Sequence, residues 1–135
     1  MNSVDLPLGQ REGQTLEFKA AAAMANLFDI GREVVAFLNS DRTVDLWIGL
    51  TEGPDGRAVG VEPIDVSRIA ALENHLHDTI FPHVDAAQVE SELVAVDGGH
   101  VLRLRIMPPT WLHVRSVEAE RLAFLCTGRG ARKAA

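Results

Sequence analysis

Glu12-Gly13-Gln14-Thr15-Leu16-Glu17-Phe18-Lys19 is the stretch from which the rest of the chain can be read. Leu16 and Phe18 alternate with Thr15, Glu17 and Lys19, which is the period of a strand with one buried face. On such a strand Glu17 and Lys19 leave by the opposite face. Glu12 precedes Glu17 by five residues, with Gly13 between them. If the chain bends at Gly13, two carboxylates reach one patch. The same residues also suit an edge strand with ordinary solvated charges, so the segment alone leaves both readings open.

Outward from this strand, the order of elements sets the fold class. Leu27, Ile30, Val34, Phe37 and Leu38 recur at helical spacing, so a helix over 25–39 packs one face on a sheet and ends near Asn39-Ser40. Asp41-Arg42 makes a turn. Val44–Leu50 is rich in β-branched and large apolar residues and reads as a central strand, with Leu46, Ile48 and Leu50 on one face. Glu52-Gly53-Pro54-Asp55-Gly56 is a dense turn signal, and Arg57–Val61 follows as a short strand. Asp65 or Ser67 caps a second helix, with Val66, Ile69, Leu72, Leu76 and Ile80 inward and Phe81-Pro82 at its end. Gln88–Val96 and His100–Met107 form a hairpin about Asp97-Gly98-Gly99. Trp111–Arg115 reads as extended and Leu122–Cys126 as a last strand. The expected architecture is one α+β domain, a mixed β-sheet with two main helices packed on it. Residues 1–11 read as a loose N-terminal arm, 12–128 as the domain and 129–135 as a basic C-terminal tail. Leu16, Phe18, Ile30, Val34, Phe37, Ile48, Ile69, Leu76, Leu102 and Leu104 are the expected core.

Composition narrows the function classes. The 135 residues suffice for one domain with a real core, and the 47% apolar and 24% charged content is ordinary for a globular protein. No apolar run approaches the roughly 18 residues of a membrane span, and the first ten residues lack the pattern of a secretory signal. Cys126 is the single cysteine, which excludes a disulfide framework and a multi-cysteine zinc site. A cytoplasmic protein is the natural expectation. His75 and His77 are two apart on a helix and point in different directions, and phosphate-binding glycine motifs are absent.

The net charge of −6 argues against a protein that coats phosphate with its whole surface. The charge is uneven, however. From Val101 onward Arg103, Arg105, Arg115, Arg121, Arg129, Arg132 and Lys133 face only Glu118 and Glu120, a net +5 that leaves −11 on the first hundred residues. Alternation puts Val101, Arg103 and Arg105 on one strand face, so the arginines form a row. This asymmetry marks a polyanion-binding edge through Arg103, Arg105, Arg115, Arg129, Arg132 and Lys133. Equally, these cations pair with the acidic part of the same domain.

Several short pieces fall in a fixed order: Glu12, then Leu16-Glu17-Phe18-Lys19; Ala36-Phe37-Leu38-Asn39-Ser40; Ile48-Gly49-Leu50; Val59-Gly60-Val61; Pro82; and Phe124 with Gly128 and Ala134. In that order and spacing the chain resembles the Schlafen AlbA-type domain, the divergent AlbA domain described as DNA-binding. The resemblance spans nearly the whole chain. It implies a small α+β domain, commonly attached to transcription regulators as a DNA- or RNA-binding module. In Schlafen-type proteins it implies a metal-dependent endoribonuclease whose site residues fall here on Glu12, Glu17 and Glu52. The chain departs from the family pattern at Asp41-Arg42, where a Gly-Gly is usual, at Cys126 and Arg129, and at Glu52, where the usual residue is aspartate.

Three converging carboxylates beside Lys19 form an oxygen-only donor set that suits one or two magnesium or manganese ions, which activate water and steady a phosphate under attack. The preferred expectation is a non-catalytic nucleic-acid-binding module with no cofactor. The alternatives are a nuclease using Glu12, Glu17, Glu52 and Lys19, and a protein-interaction or homodimerisation domain.

Overall fold

A computed structural model describes residues 5–81, 88–108 and 114–115. The chain runs β1 (Leu16–Lys19), α1 (Leu27–Leu38), β2 (Val44–Ile48), β3 (Leu50–Glu52), β4 (Ala58–Val61), α2 (Ile69–Thr79), β5 (Ile80–Phe81), β6 (Val89–Val96), β7 (Gly99–Ile106) and β8 (Val114–Arg115). Short 3₁₀ turns at Ala21–Ala25 and Val66–Arg68 precede the two helices. The main sheet has the order β1-β2-β7-β6; β3 pairs with β4 and β5 with β8. β1 and β2 are parallel and the other pairs antiparallel, so the sheet is mixed and the domain is α+β. Parallel neighbours need a crossover connection, and α1 supplies it.

Helix α1 starts where the Asn26 side chain accepts the Asp29 N–H at 3.1 Å, and it buries Ile30, Val34 and Leu38, four residues apart. It ends at Asn39, as expected. The Ser40 hydroxyl organises the following turn by donating to the Phe37 carbonyl at 2.7 Å and accepting the Arg42 N–H at 3.3 Å. The Asp65 carboxylate caps the turn before α2 by accepting the Ser67 N–H at 3.0 Å. Leu72, Leu76 and Ile80 are buried beneath that helix. Val66, expected inward, lies 47% exposed because the 3₁₀ turn puts it out of phase with α2. The helix stops at Thr79, and Ile80 already extends into β5. Among the described residues no helix is long and apolar enough to cross a membrane.

Apolar clusters lie on both faces of the sheet. On one, Leu46, Ile48, Leu102, Leu104 and Ile106 meet α1 and α2 through Ile30, Val34, Leu72 and Leu76. On the other, Phe18, Trp47, Val94 and Val101 meet Leu50 and Ala58 of the β3–β4 hairpin. All ten expected core residues are buried or half-buried, with Leu16, Phe37 and Ile69 at the margins. Leu50 does not share a face with Leu46 and Ile48, as strict alternation predicted. Gly49 breaks the strand with φ +113°, and the chain crosses to the opposite face there.

The N-terminal residues are also less loose than their composition suggests. The Gly9 N–H donates to the Ala58 carbonyl at 2.7 Å, the Ala58 N–H to Gln10 at 2.9 Å and the Glu12 N–H to Gly56 at 3.3 Å. Pro7 is buried and Leu6 packs on the second cluster. Residues 6–12 therefore line the outer strand of the hairpin. The segment Leu122–Cys126 and the tail from Arg129 lie outside the described residues.

Gly49 is the most sensitive backbone position. A Cβ there would stand 2.7 Å from both the Glu62 carbonyl oxygen and Val101 Cγ1, at a φ that side chains rarely adopt. Gly49→Ala is expected to lower the unfolding free energy by about 2–4 kcal/mol, from backbone strain plus overpacking. Urea denaturation of the two proteins measures the difference.

Candidate functional site

The site begins with the free edge of β1. Thr15 O accepts the Asp45 N–H at 3.0 Å and Lys19 O accepts the Gly49 N–H at 2.8 Å, so residues 15, 17 and 19 direct their backbone groups at β2. Leu16 and Phe18 direct theirs outward. The bend at Gly13 brings the chain back along that edge. The Gly13 N–H donates to the Leu16 carbonyl at 2.9 Å, and Glu12 Oε2 accepts the Phe18 N–H at 2.8 Å. A Cβ at Gly13 would meet open space, so the bend does not depend on glycine. Glu12 is thus first a cap on an exposed sheet edge, satisfying a donor that would otherwise need water or another strand.

In that position Glu12 is the common neighbour of the two other expected site carboxylates. Glu17, half-buried, is pushed up to about 7 from an ordinary 4.5. Burial contributes most, followed by the charge of Glu12, a hydrogen bond with Glu12 and the charge of Glu33, while Lys19 pulls the other way. Near neutrality Glu17 therefore carries a proton for much of the time and donates it to Glu12. Glu52 on β3 is also raised, by desolvation and by a hydrogen bond and charge repulsion from Glu12. The three carboxylates do come together, through the turn at Gly49 that sets β3 beside β1.

Lys19 lies next to them but is committed elsewhere. Its ammonium sits 2.6 Å from Glu33 Oε2 and 3.5 Å from Asp29 Oδ2, both on α1. Burial pulls its pKa down, but the hydrogen bond and charge of Glu33 and the charge of Asp29 hold it above the ordinary lysine value. Glu33 Oε1 is buried with no hydrogen-bond partner among the described residues. Asp29 and Glu33 are members of the site that the sequence reading missed. Their signal was available: they are four apart on the helix that follows β1, flanking the buried Ile30 and Val34.

The chemistry of the set suits a hard cation, since all its donors are carboxylate oxygens. Its arrangement does not. Among the described residues no group of three or more His, Cys, Asp or Glu side chains is placed to hold a metal ion. One Glu12 oxygen holds the Phe18 N–H, and Glu17 turns to Glu12 as a hydrogen-bond donor. As they stand, the carboxylates lie against one another at a strand edge.

The expected arginine row is present on the other sheet face, and it is compensated. Arg105 lies directly across from Asp45 on β2 and Glu90 on β6, and its Nε and Nη2 reach the Asp45 oxygens at 2.9 and 3.1 Å. Arg103 lies across from Trp47 and Glu92 and pairs with Glu92. Asp45 holds Arg105 above the ordinary arginine value. Asp45, Glu90 and Glu92 outnumber the two arginines, so this face offers no excess positive charge. Of the other expected phosphate contacts, Arg115 has its backbone in β8, while Arg129, Arg132 and Lys133 lie outside the described residues.

Two measurements follow from this geometry. Because the folded pKa of Glu17 lies above its unfolded value, the native state binds more protons between pH 4.5 and about 7. The stability that Glu17 contributes is complete below pH 4.5 and is lost as pH rises through about 7. Glu17→Gln, which mimics the protonated form, should flatten the fall in thermal midpoint between pH 5 and pH 8 and raise the midpoint at pH 8. Glu12→Ala should cost about 1–2 kcal/mol by uncovering the Phe18 N–H, whereas exposed Glu52→Ala should stay within about ±0.5 kcal/mol; urea titration separates the two.

The sequence matches the family model of Schlafen, AlbA_2 over residues 12–129. The fold is similar to the solution NMR structure of the N-terminal domain of an ATP-dependent DNA helicase RecG-related protein from Nitrosomonas europaea, with a TM-score of 0.57 and 18% identity over 72% of this chain. The match covers 65% of that domain, and at this identity it shows the shared fold alone. None of the curated proteins matches the sequence. With a family match across almost all of its length, the chain belongs to the Schlafen AlbA_2 family.

Proposed function

We propose that this domain is a nucleic-acid-binding module of the transcription-regulator type that works without catalysis. The observation that carries the reading is the family match over residues 12–129. The name of the structurally similar protein, a DNA helicase relative, agrees with a nucleic-acid setting. The commitment of one Glu12 oxygen to the Phe18 N–H at the strand edge supports the non-catalytic part. With Arg103 and Arg105 neutralised by their cross-strand partners, phosphate contact falls to Arg115, Arg129, Arg132 and Lys133.

One observation favours a second reading, a metal-dependent endoribonuclease. Glu12 lies against both Glu17 and Glu52, the three positions that the family resemblance marks. That activity requires the carboxylates to re-aim around a magnesium or manganese ion.

A salt-titrated binding assay against single-stranded DNA, duplex DNA and tRNA, with and without Mn²⁺, decides between them. Binding should weaken steeply with salt. Each alanine replacement at Arg115, Arg129, Arg132 or Lys133 should flatten the log–log slope by about one unit. Arg103→Ala and Arg105→Ala should leave the slope unchanged. Affinity independent of salt would refute the binding reading. Mn²⁺-dependent cleavage of tRNA that disappears in Glu17→Ala would establish the nuclease instead.

A further inference from the structure

The two edges of the main sheet are treated differently. The β1 edge is sealed by Glu12 and Gly13. Among the described residues no strand pairs with the outer edge of β6. In an antiparallel ladder only alternate residues point their backbone groups at the partner strand. The Met107 N–H donates to the Gln88 carbonyl at 2.7 Å, so the even-numbered residues of β6 serve β7. Val89, Ser91, Leu93 and Ala95 therefore direct N–H and C=O groups outward, and none of these groups is hydrogen-bonded among the described residues.

The usual protections of an edge strand are missing from Val89–Val96. It contains no proline and no lysine, and its register against β7 runs without a bulge from Val89↔Ile106 to Val96↔Gly99. Of its two charges, only Glu90 is exposed. Glu92 pairs with Arg103, and Glu90 lies across from Arg105. Leu93 on the helix side is 44% exposed, one of five exposed large apolar side chains among the described residues.

We propose that β6 pairs antiparallel with β6 of a second copy of this chain, with Leu93 on the twofold axis. The sequence Val-Glu-Ser-Glu-Leu-Val-Ala-Val is self-complementary in that register. Glu92 falls opposite Val94 of the copy and Glu90 opposite Val96, so no carboxylates oppose each other. On the helix side Leu93 meets Leu93 of the copy and Ser91 meets Ala95. Registers centred on Ser91 or Glu92 set glutamates directly across from one another, which is unfavourable. The pairing joins two four-stranded sheets into one. It closes at two copies, because the far edge of each sheet is already capped.

Sedimentation of the purified chain tests this. A concentration-dependent monomer–dimer equilibrium is expected, with no larger species. Leu93→Lys opposes two ammonium groups on the axis and should weaken the dimer by at least about tenfold without changing the circular dichroism. Leu93→Pro removes an N–H that the β6–β7 ladder does not use, and should abolish pairing. If that variant misfolds, the lysine variant decides alone. Hydrogen exchange supplies a second readout. The amides of Val89, Ser91, Leu93 and Ala95 should become protected as concentration rises. A chain that remains monomeric at its highest soluble concentration, a dimer indifferent to Leu93→Lys, or protection of those four amides in the monomer would each overturn the proposal.

Discussion

At position 49 the backbone passes so close to the Glu62 carbonyl and the Val101 side chain that no side chain fits, and it does so at φ +113°. Much of the structure depends on that close approach. It lets the chain leave the sheet at the end of β2 and fold back as the β3–β4 hairpin over the second face. The hairpin covers Phe18, Trp47 and Val101, which would otherwise stand in water. It is fastened by the Glu62 N–H to the Gly49 carbonyl at 2.6 Å and by the Ala21 N–H to the Glu62 carboxylate at 3.1 Å. The same turn carries Glu52 to the edge where Glu12 and Glu17 lie. Core closure and the carboxylate cluster thus share one steric cause.

The sheet handles charge in two ways. On the hairpin side, each arginine of β7 lies directly across from a carboxylate, Arg105 from Asp45 and Glu90 and Arg103 from Glu92. Each half-buried charge there has an opposite neighbour, which limits the cost of removing it from water. At the β1 edge the balance is different. Lys19 pairs with Glu33 and Asp29, while Glu17 lies between this group and Glu12, which in turn neighbours Glu52. Burial first, and then the neighbouring carboxylates Glu12 and Glu33, push Glu17 up to about 7. A carboxylate raised by burial and by like charges is the kind of perturbation that clusters at functional sites.

Helix positions, strand order along the chain and the apolar faces were legible in the sequence, because periods of two and 3.6 residues report locally on which side is buried. The α+β class, the α1 stripe of Ile30, Val34 and Leu38, the hairpin about Asp97-Gly98 and the opposite facing of Leu102–Ile106 against Val101–Arg105 all follow from that. So does the meeting of Glu12 with Glu17, since a five-residue separation and a bend are local facts. Tertiary structure alone decided the rest. Leu50 changed faces because two distant groups crowd Gly49. Arg103 and Arg105 are paired with Glu92 and Asp45 because β7 lies between β2 and β6, an order no single segment encodes. Asp29 and Glu33 joined the site because α1 crosses over β1, and Glu12 became an edge cap because, among the described residues, β1 has no strand on its outer side. Electrostatic consequences depend on through-space neighbours, and those were fixed only when the strands took their order in the sheet.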